Sequence, residues 1–178
     1  MKAAHRPIAG FTLVEMLVVM AIFGIVAAIA APSFRDYALR RSIAVQVSDL
    51  AGALRLARSE ALKRGKEVSL CPSQNTHVIK PSCNAEATNW GQGYLVFVGS
   101  VDRNDQFLRA QQPYGSGGSI TANVKGAIRF NGNGVLRSGG ARQFTFTPPL
   151  NANDRSYKSL THTVCLTSNG VLLPGSCS

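Results

Sequence analysis

Apolar side chains occupy nearly every position from Phe11 to Ala31, thin to about half of the positions between Val47 and Ala61, and alternate in short runs thereafter. Each regime predicts a different element. Phe11 to Ala31 spans about 21 residues, or about 31 Å as a helix, which matches one bilayer crossing. Pro32 removes a backbone donor and predicts a kink, and the helical pattern continues beyond it to Arg64. There Val47, Leu50, Leu54, Ala57 and Ala61 recur at spacings of three and four, forming one apolar stripe. Asp49, Arg55, Glu60, Lys63 and Arg64 lie mainly off it. Gly65 is a natural helix end, and Lys63 and Arg64 suit the negative C-terminal dipole.

After Gly65 the pattern turns to strands: Glu67–Cys71, Tyr94–Val98, Phe107–Gln111, Ser119–Val124, Ala127–Asn131, Gly134–Arg137, Gln143–Thr147, Thr163–Thr167 and Val171–Leu173. Asn131-Gly132, Asn133-Gly134 and Asn169-Gly170 mark tight turns. Tyr114–Ser119 and Thr147–Ser159 read as mobile loops. Short strands with Gly-rich connections suggest an antiparallel sandwich or paired sheets. The expected fold class is α+β, a long N-terminal hydrophobic helix, kinked at Pro32, packed on a mainly antiparallel β-sandwich-like head.

One ionisable side chain interrupts the first regime. Glu15 sits near the start of a segment otherwise suited to hydrocarbon, where a charged group costs roughly 3 kcal/mol at the bilayer centre. A secretory signal peptide would have a shorter apolar region and a small-residue cleavage site, which Ala27–Ala31 imitates. A plain membrane anchor explains the length but not Glu15. Lys2 and Arg6 flank one side and Arg35, Arg40 and Arg41 the other, so charge counting leaves the orientation open.

Gly10, Phe11, Thr12, Leu13, Val14 and Glu15, followed by the apolar run and Pro32, resemble the N-terminus of type IV pilins and pseudopilins. The resemblance implies that a prepilin peptidase cuts between Gly10 and Phe11 and methylates the new amine of Phe11. It makes Glu15 the acidic residue of assembly, meeting the amine of a neighbouring subunit in a filament. The expected division is a cleaved leader (1–10), a transmembrane and assembly half-helix (11–31), an amphipathic half-helix (32–65) and a periplasmic head (66–178). Helix geometry agrees, since a free amine at Phe11 lies about one turn from Glu15, and carboxylates are favoured near a helix N-terminus.

Without the leader the net charge of +10 falls to about +8, a basic surface suited to nucleic acid, anionic lipid or acidic partners. Four cysteines form two pairs with equal internal spacing, Cys71…Cys83 and Cys165…Cys177, and neither pair has the two-residue gap of a zinc knuckle or redox dithiol. Three pairings are open. The local ones are the economical choice, each adding about 3 kcal/mol in the chain-entropy model, and such bridges imply an oxidising compartment.

Further along, LARSEALKRG (Leu56–Gly65), EVSLCPS (Glu67–Ser73), WGQGYLVFV (Trp90–Val98), FNGNG (Phe130–Gly134) and the Cys165…Cys177 segment resemble the GspH/FimT group of pilin-like proteins. That group includes minor type IV pilins and the H pseudopilin of type II secretion, low-abundance subunits at or near a filament tip that help start assembly. The Cys71-Pro72-Ser73 element and the cysteine pairs favour the pilus branch. The implied partners are prepilin peptidase, the major pilin, other minor pilins or pseudopilins and the inner-membrane assembly platform. The implied location is the inner membrane, single-pass with the head in the periplasm, and then the pilus or pseudopilus.

No enzyme, cofactor or metal site is expected. His5, His77 and His162 have no neighbouring constellation, and no nucleophile elbow or phosphate-binding loop appears. Asp102, Asn104 and Asp105 faintly resemble a calcium loop but lack its glycine and terminal glutamate, so a polar turn is the reading. Some pilins of this group bind DNA through a C-terminal GRxR-like element. Here the segment from Cys165 to Cys177 has no arginine, and Gly140-Ala141-Arg142-Gln143 is a poor echo. Arg129, Arg137, Arg142, Arg155 and Lys158 remain as candidate phosphate contacts, to be weighed against solvated loop and strand-edge charges.

Overall fold

The computed structural model describes residues 11–177 apart from 85, 101–105, 116, 138 and 139. Helix α1 runs from Leu13 to Arg64, and its backbone remains helical through position 32. The chain divides into two compact units between Ala38 and Leu39.

The first unit contributes an apolar helix. Leu13–Ala30 has a mean hydropathy of 2.7, and none of this stretch is buried by the rest of the chain. Phe11, Leu13, Phe23 and Ile29 are all more than 60% exposed.

The second unit holds the core. The buried stripe of α1 comprises Ile43, Gln46, Leu50, Ala53, Leu54, Ala57 and Ala61, with Val47 partly buried beside it. Ile43, Gln46 and Ala53 widen the expected stripe. Among the described residues eight antiparallel strands make two sheets. The first has the order β3 (Gln106–Gln111), β2 (Tyr94–Val98), β1 (Val68–Pro72), β5 (Ile128–Phe130), and the second β4 (Ser119–Ala122), β6 (Arg142–Thr147), β7 (His162–Leu166), β8 (Leu172–Pro174). Alternation sets the faces. Val68, Leu70, Val96, Ile128 and Phe130 meet α1 in the main core, while Cys71, Leu95, Phe97 and Ala127 form a smaller cluster on the other face of the first sheet. Phe144 and Phe146 of β6 bring the second sheet into the main core. Trp90 joins the sheets. It donates its backbone N–H to Ile120 at 2.7 Å, and its ring packs edge-on against Phe144 with centroids 5.4 Å apart.

The end of α1 is closely fitted. Gly65 takes φ +61°, and a side chain at Gly132 would stand 2.6 Å from the Gly65 carbonyl, so the turn after β5 is seated directly on the helix terminus. Arg64 reaches Glu60 one turn back and Gln106 on β3.

Two expectations are corrected. Gly134–Arg137 is not a strand; it makes one bridge, Phe130 to Leu136. The Asn131 side chain accepts the Asn133 and Val135 N–H groups, and these local bonds close a turn instead of extending a ladder. The loop expected over Thr147–Ser159 contains a short helix, α2 (Arg155–Leu160), with Asp154 accepting the Ser156 N–H at its start and Leu160 buried at its end. Strand ends also move: β8 begins at Leu172, because Val171 closes the turn on Thr167.

Tyr114, in the segment read as a mobile loop, is anchored. Its hydroxyl donates to Asp49 of α1 at 3.4 Å and therefore accepts from the Tyr94 hydroxyl, 3.3 Å away. Burial, then the bond and charge of Asp49, raise the Tyr114 pKa from 10.0 to about 12, against the lowering effect of the accepted bond, and burial pushes Tyr94 up further. Both shifts favour the neutral phenol in the folded state. Their stabilisation is complete below pH 10; the Tyr114 part is lost as pH rises through about 12, and the Tyr94 part goes on falling above that. Denaturant midpoints measured at rising alkaline pH should therefore fall more steeply for the native protein than for a Tyr94→Phe/Tyr114→Phe variant.

Candidate assembly segment and head surface

The N-terminal segment owes its geometry to Thr12. The Thr12 hydroxyl accepts the Glu15 N–H at 3.2 Å, and its carbonyl accepts the Met16 N–H at 3.2 Å. Thr12 is thus the N-cap of α1 and Glu15 its third helical residue, the T-x-x-E arrangement of a capping box. A sequence reading confined to the acid and the cleavage motif misses the capping role of Thr12, although that spacing is its signal. In hydrocarbon a free helix N–H has no water to turn to, so the cap matters more there than at a wet surface. Thr12→Val should loosen the first turn by about 1 kcal/mol. Faster amide exchange at Glu15 and Met16 in micelles, with the head unchanged, is the expected reading.

Gly10, the expected cleavage position, lies outside the described residues. Phe11, the residue expected to carry the new amine, is exposed and precedes the cap. The polar turn expected at Asp102, Asn104 and Asp105 also lies outside them.

On the head, Sγ atoms join Cys71 to Cys83 and Cys165 to Cys177, with Cα separations of 5.6 and 5.0 Å. The first bridge ties β1 to the loop that follows it. The second holds the C-terminal segment against β7, where the Cys177 N–H also donates to Gln143 at 3.3 Å.

The five cationic candidates sit on several elements. Arg137 is paired with Glu67. Arg155 and Lys158 belong to α2, whose end and the start of β7, through Ser159, Leu160, Thr161 and His162, form a groove of about 340 Å³ with Arg40, Ile43, Ala44 and Val47 of α1. Arg129 lies on β5, where its carbonyl accepts the Arg137 N–H at 2.8 Å, and Arg142 opens β6.

The family described as type II transport protein GspH matches residues 46–170. The prokaryotic N-terminal methylation motif matches residues 5–31. A fimbrial protein of Pseudomonas aeruginosa is 46% identical over 59 residues, covering 33% of this chain and 38% of that protein, so the match spans well under half of that relative's length. Fimbrial protein EcpB of Eikenella corrodens is 32% identical over 123 residues, covering 67% of this chain and 75% of the relative. Type IV major fimbrial protein FimA of Dichelobacter nodosus is 35% identical over 107 residues, covering 60% and 61%. The crystal structure of the type IV minor pilin FimU of Pseudomonas aeruginosa superposes with a TM-score of 0.58 over 77% of this chain and 90% of that one, at 16% identity. That likeness concerns the fold.

Proposed function

Because the chain belongs to the GspH family of type IV pilin-like proteins, we propose that it is a minor type IV pilin, a structural subunit that helps start pilus assembly at or near the tip. The observation that carries the reading is the apolar helix Leu13–Ala30, which a single copy leaves wholly uncovered. Such a surface is stable in lipid or against other helices of its kind, and an assembling fibre supplies both in turn.

The steps follow from the residues. Prepilin peptidase cuts after Gly10 in the inner membrane and methylates Phe11. The head remains on the periplasmic side, where its cysteines oxidise. Glu15 then leaves the acyl region by meeting the Phe11 amine of a neighbouring subunit, so the cost of holding an acid in lipid favours ordered addition. The neighbours in this reading are the major pilin and the other minor pilins on the assembly platform.

A second reading has a specific observation behind it, since the matching family takes its description from type II transport. In that reading the chain is a pseudopilin of a short secretion fibre. Deleting the gene and scoring surface pili, twitching and protein export together separates the two. The minor-pilin reading expects pili and twitching to be lost with export intact. Lost export with normal twitching would overturn it in favour of the pseudopilin.

A further inference from the structure

The groove between α1 and α2 has a divided chemistry. Its floor is apolar: Ile43 and Leu160 are buried, and Val47 packs against the same core. Its charge is of one sign. Arg40 and His162 line it and both are exposed, while no acid lines it. Asp36, the nearest acid before Arg40 on α1, is not part of the lining, and Asp49 accepts the Tyr114 hydroxyl. Arg40 has no ion-pair partner among the described residues. Arg155 and Lys158, exposed on α2, add positive charge on the approach to Ser159. The two hydroxyls of the groove are already oriented. Ser159 Oγ donates to the Ser156 carbonyl at 3.0 Å, and Thr161 Oγ1 to the Tyr157 carbonyl at 2.8 Å. Each has used its one proton, so towards a ligand both can only accept. A cleft of about 340 Å³ therefore offers a fixed cation, two acceptors and an apolar floor together, at the small end of ligand-sized pockets.

We propose that this groove seats the headgroup of an anionic phospholipid that carries hydroxyls, as phosphatidylglycerol does. Arg40 takes the phosphodiester, whose paired oxygens match a forked guanidinium. Ser159 and Thr161 accept from the headgroup hydroxyls, and the floor of Ile43 and Leu160 receives the first methylenes. A free phosphate ion would use the cation alone, and a choline headgroup brings no donor for the two acceptors. The source of the ligand follows from the chain. Counted along α1, Arg40 comes ten positions after Ala30, where the apolar span ends. A chain anchored through that span meets headgroups at high effective concentration. The site rests on the membrane stage of the proposed function, and adds to the apolar helix a second hold on lipid that must be released before assembly.

The test uses the full chain in neutral maltoside micelles, with the Ala44, Thr161 and His162 amide shifts as readouts. It is titrated in turn with short-chain phosphatidylglycerol, phosphatidylcholine of the same chain length, free glycerol phosphate and a short polyglutamate peptide, all at one ionic strength. Expected is saturable movement with phosphatidylglycerol. Its half-saturating concentration should rise about tenfold with Arg40→Gln and less with Arg40→Lys. It should not change with Arg41→Gln, which removes the same charge from a residue outside the lining. An equal loss in Arg41→Gln would mark diffuse attraction to lipid charge and overturn the site. So would an equal response to phosphatidylcholine, saturation by free glycerol phosphate at the same concentration, or a response to the acidic peptide alone, which would make the groove a protein-docking surface. The titrations of the native protein decide the matter even if a variant folds poorly. Micelles hold the chain without any fibre, so a negative result strikes the groove and leaves the assembly reading standing, whereas a chain that fails to enter micelles would strike the membrane stage and the site with it.

Discussion

Replacing Glu15 by alanine should leave the protein made, processed and membrane-inserted, yet largely absent from sheared fibres. Without the carboxylate, insertion becomes easier by roughly 3 kcal/mol, so the monomer is more content in lipid than before. In the proposed fibre the neighbouring Phe11 amine in turn loses its anion and is left buried and unpaired, a penalty of a few kcal/mol per joint. A loss of about 3 kcal/mol corresponds to more than a hundredfold drop in incorporation. Quantitative immunoblots of fibre against membrane fractions measure the effect, and near-native incorporation would remove Glu15 from the assembly step. Glu15→Gln separates charge from polarity: it can still accept hydrogen bonds near the capped first turn, so partial recovery means polarity contributes, and none means the ion pair dominates.

The largest loss of head stability should come from Trp90→Ala. Trp90 is completely buried between the two sheets, touching Phe144 edge-on and Tyr94 at 6.1 Å between centroids. Removing it opens a cavity at the junction and should cost about 3–5 kcal/mol, a large share of the roughly 5–15 kcal/mol that holds a domain folded. Far-UV circular dichroism in denaturant is the suitable probe, because this is the chain's single tryptophan. Trp90→Phe should cost well under half as much. It keeps an aromatic body and also removes Nε1, a buried donor with no partner. Equal losses in the two variants would mean that a phenyl ring recovers none of the packing the indole supplies.

Much of this architecture was legible before any coordinates. The long apolar run, the three-and-four spacing of Leu50 to Ala61 and the strand alternation of Gln143 to Thr147 are strong periodic signals, and each appears as read. Short elements decided by local hydrogen bonds were harder. Asn131 turned an expected strand into a turn, and Asp154 capped a helix of six residues too brief for a periodic signal. Tyr114 looked like part of a loose loop because its partners, Asp49 and Tyr94, are distant in sequence. The basic residues were left open, between phosphate contacts and solvated charges, for a similar reason. Counting charges cannot reveal that Arg137 meets Glu67, or that strand alternation draws Arg142 inward. Thr12 was read as part of the N-terminal motif, but its role as a cap, signalled by the T-x-x-E spacing, was not.

The two short-range bridges bear on how the head matures. Each joins cysteines twelve residues apart, whereas either alternative pairing would have to close loops of roughly eighty residues or more. Chain statistics disfavour that longer closure by about 2 kcal/mol, enough to make the nearer thiol the usual first collision in a chain not yet folded. Correct oxidation is therefore built into the primary structure and does not wait for the sheets. A subunit emerging in sequence order can lock its first hairpin-sized ring while its tail is still in transit.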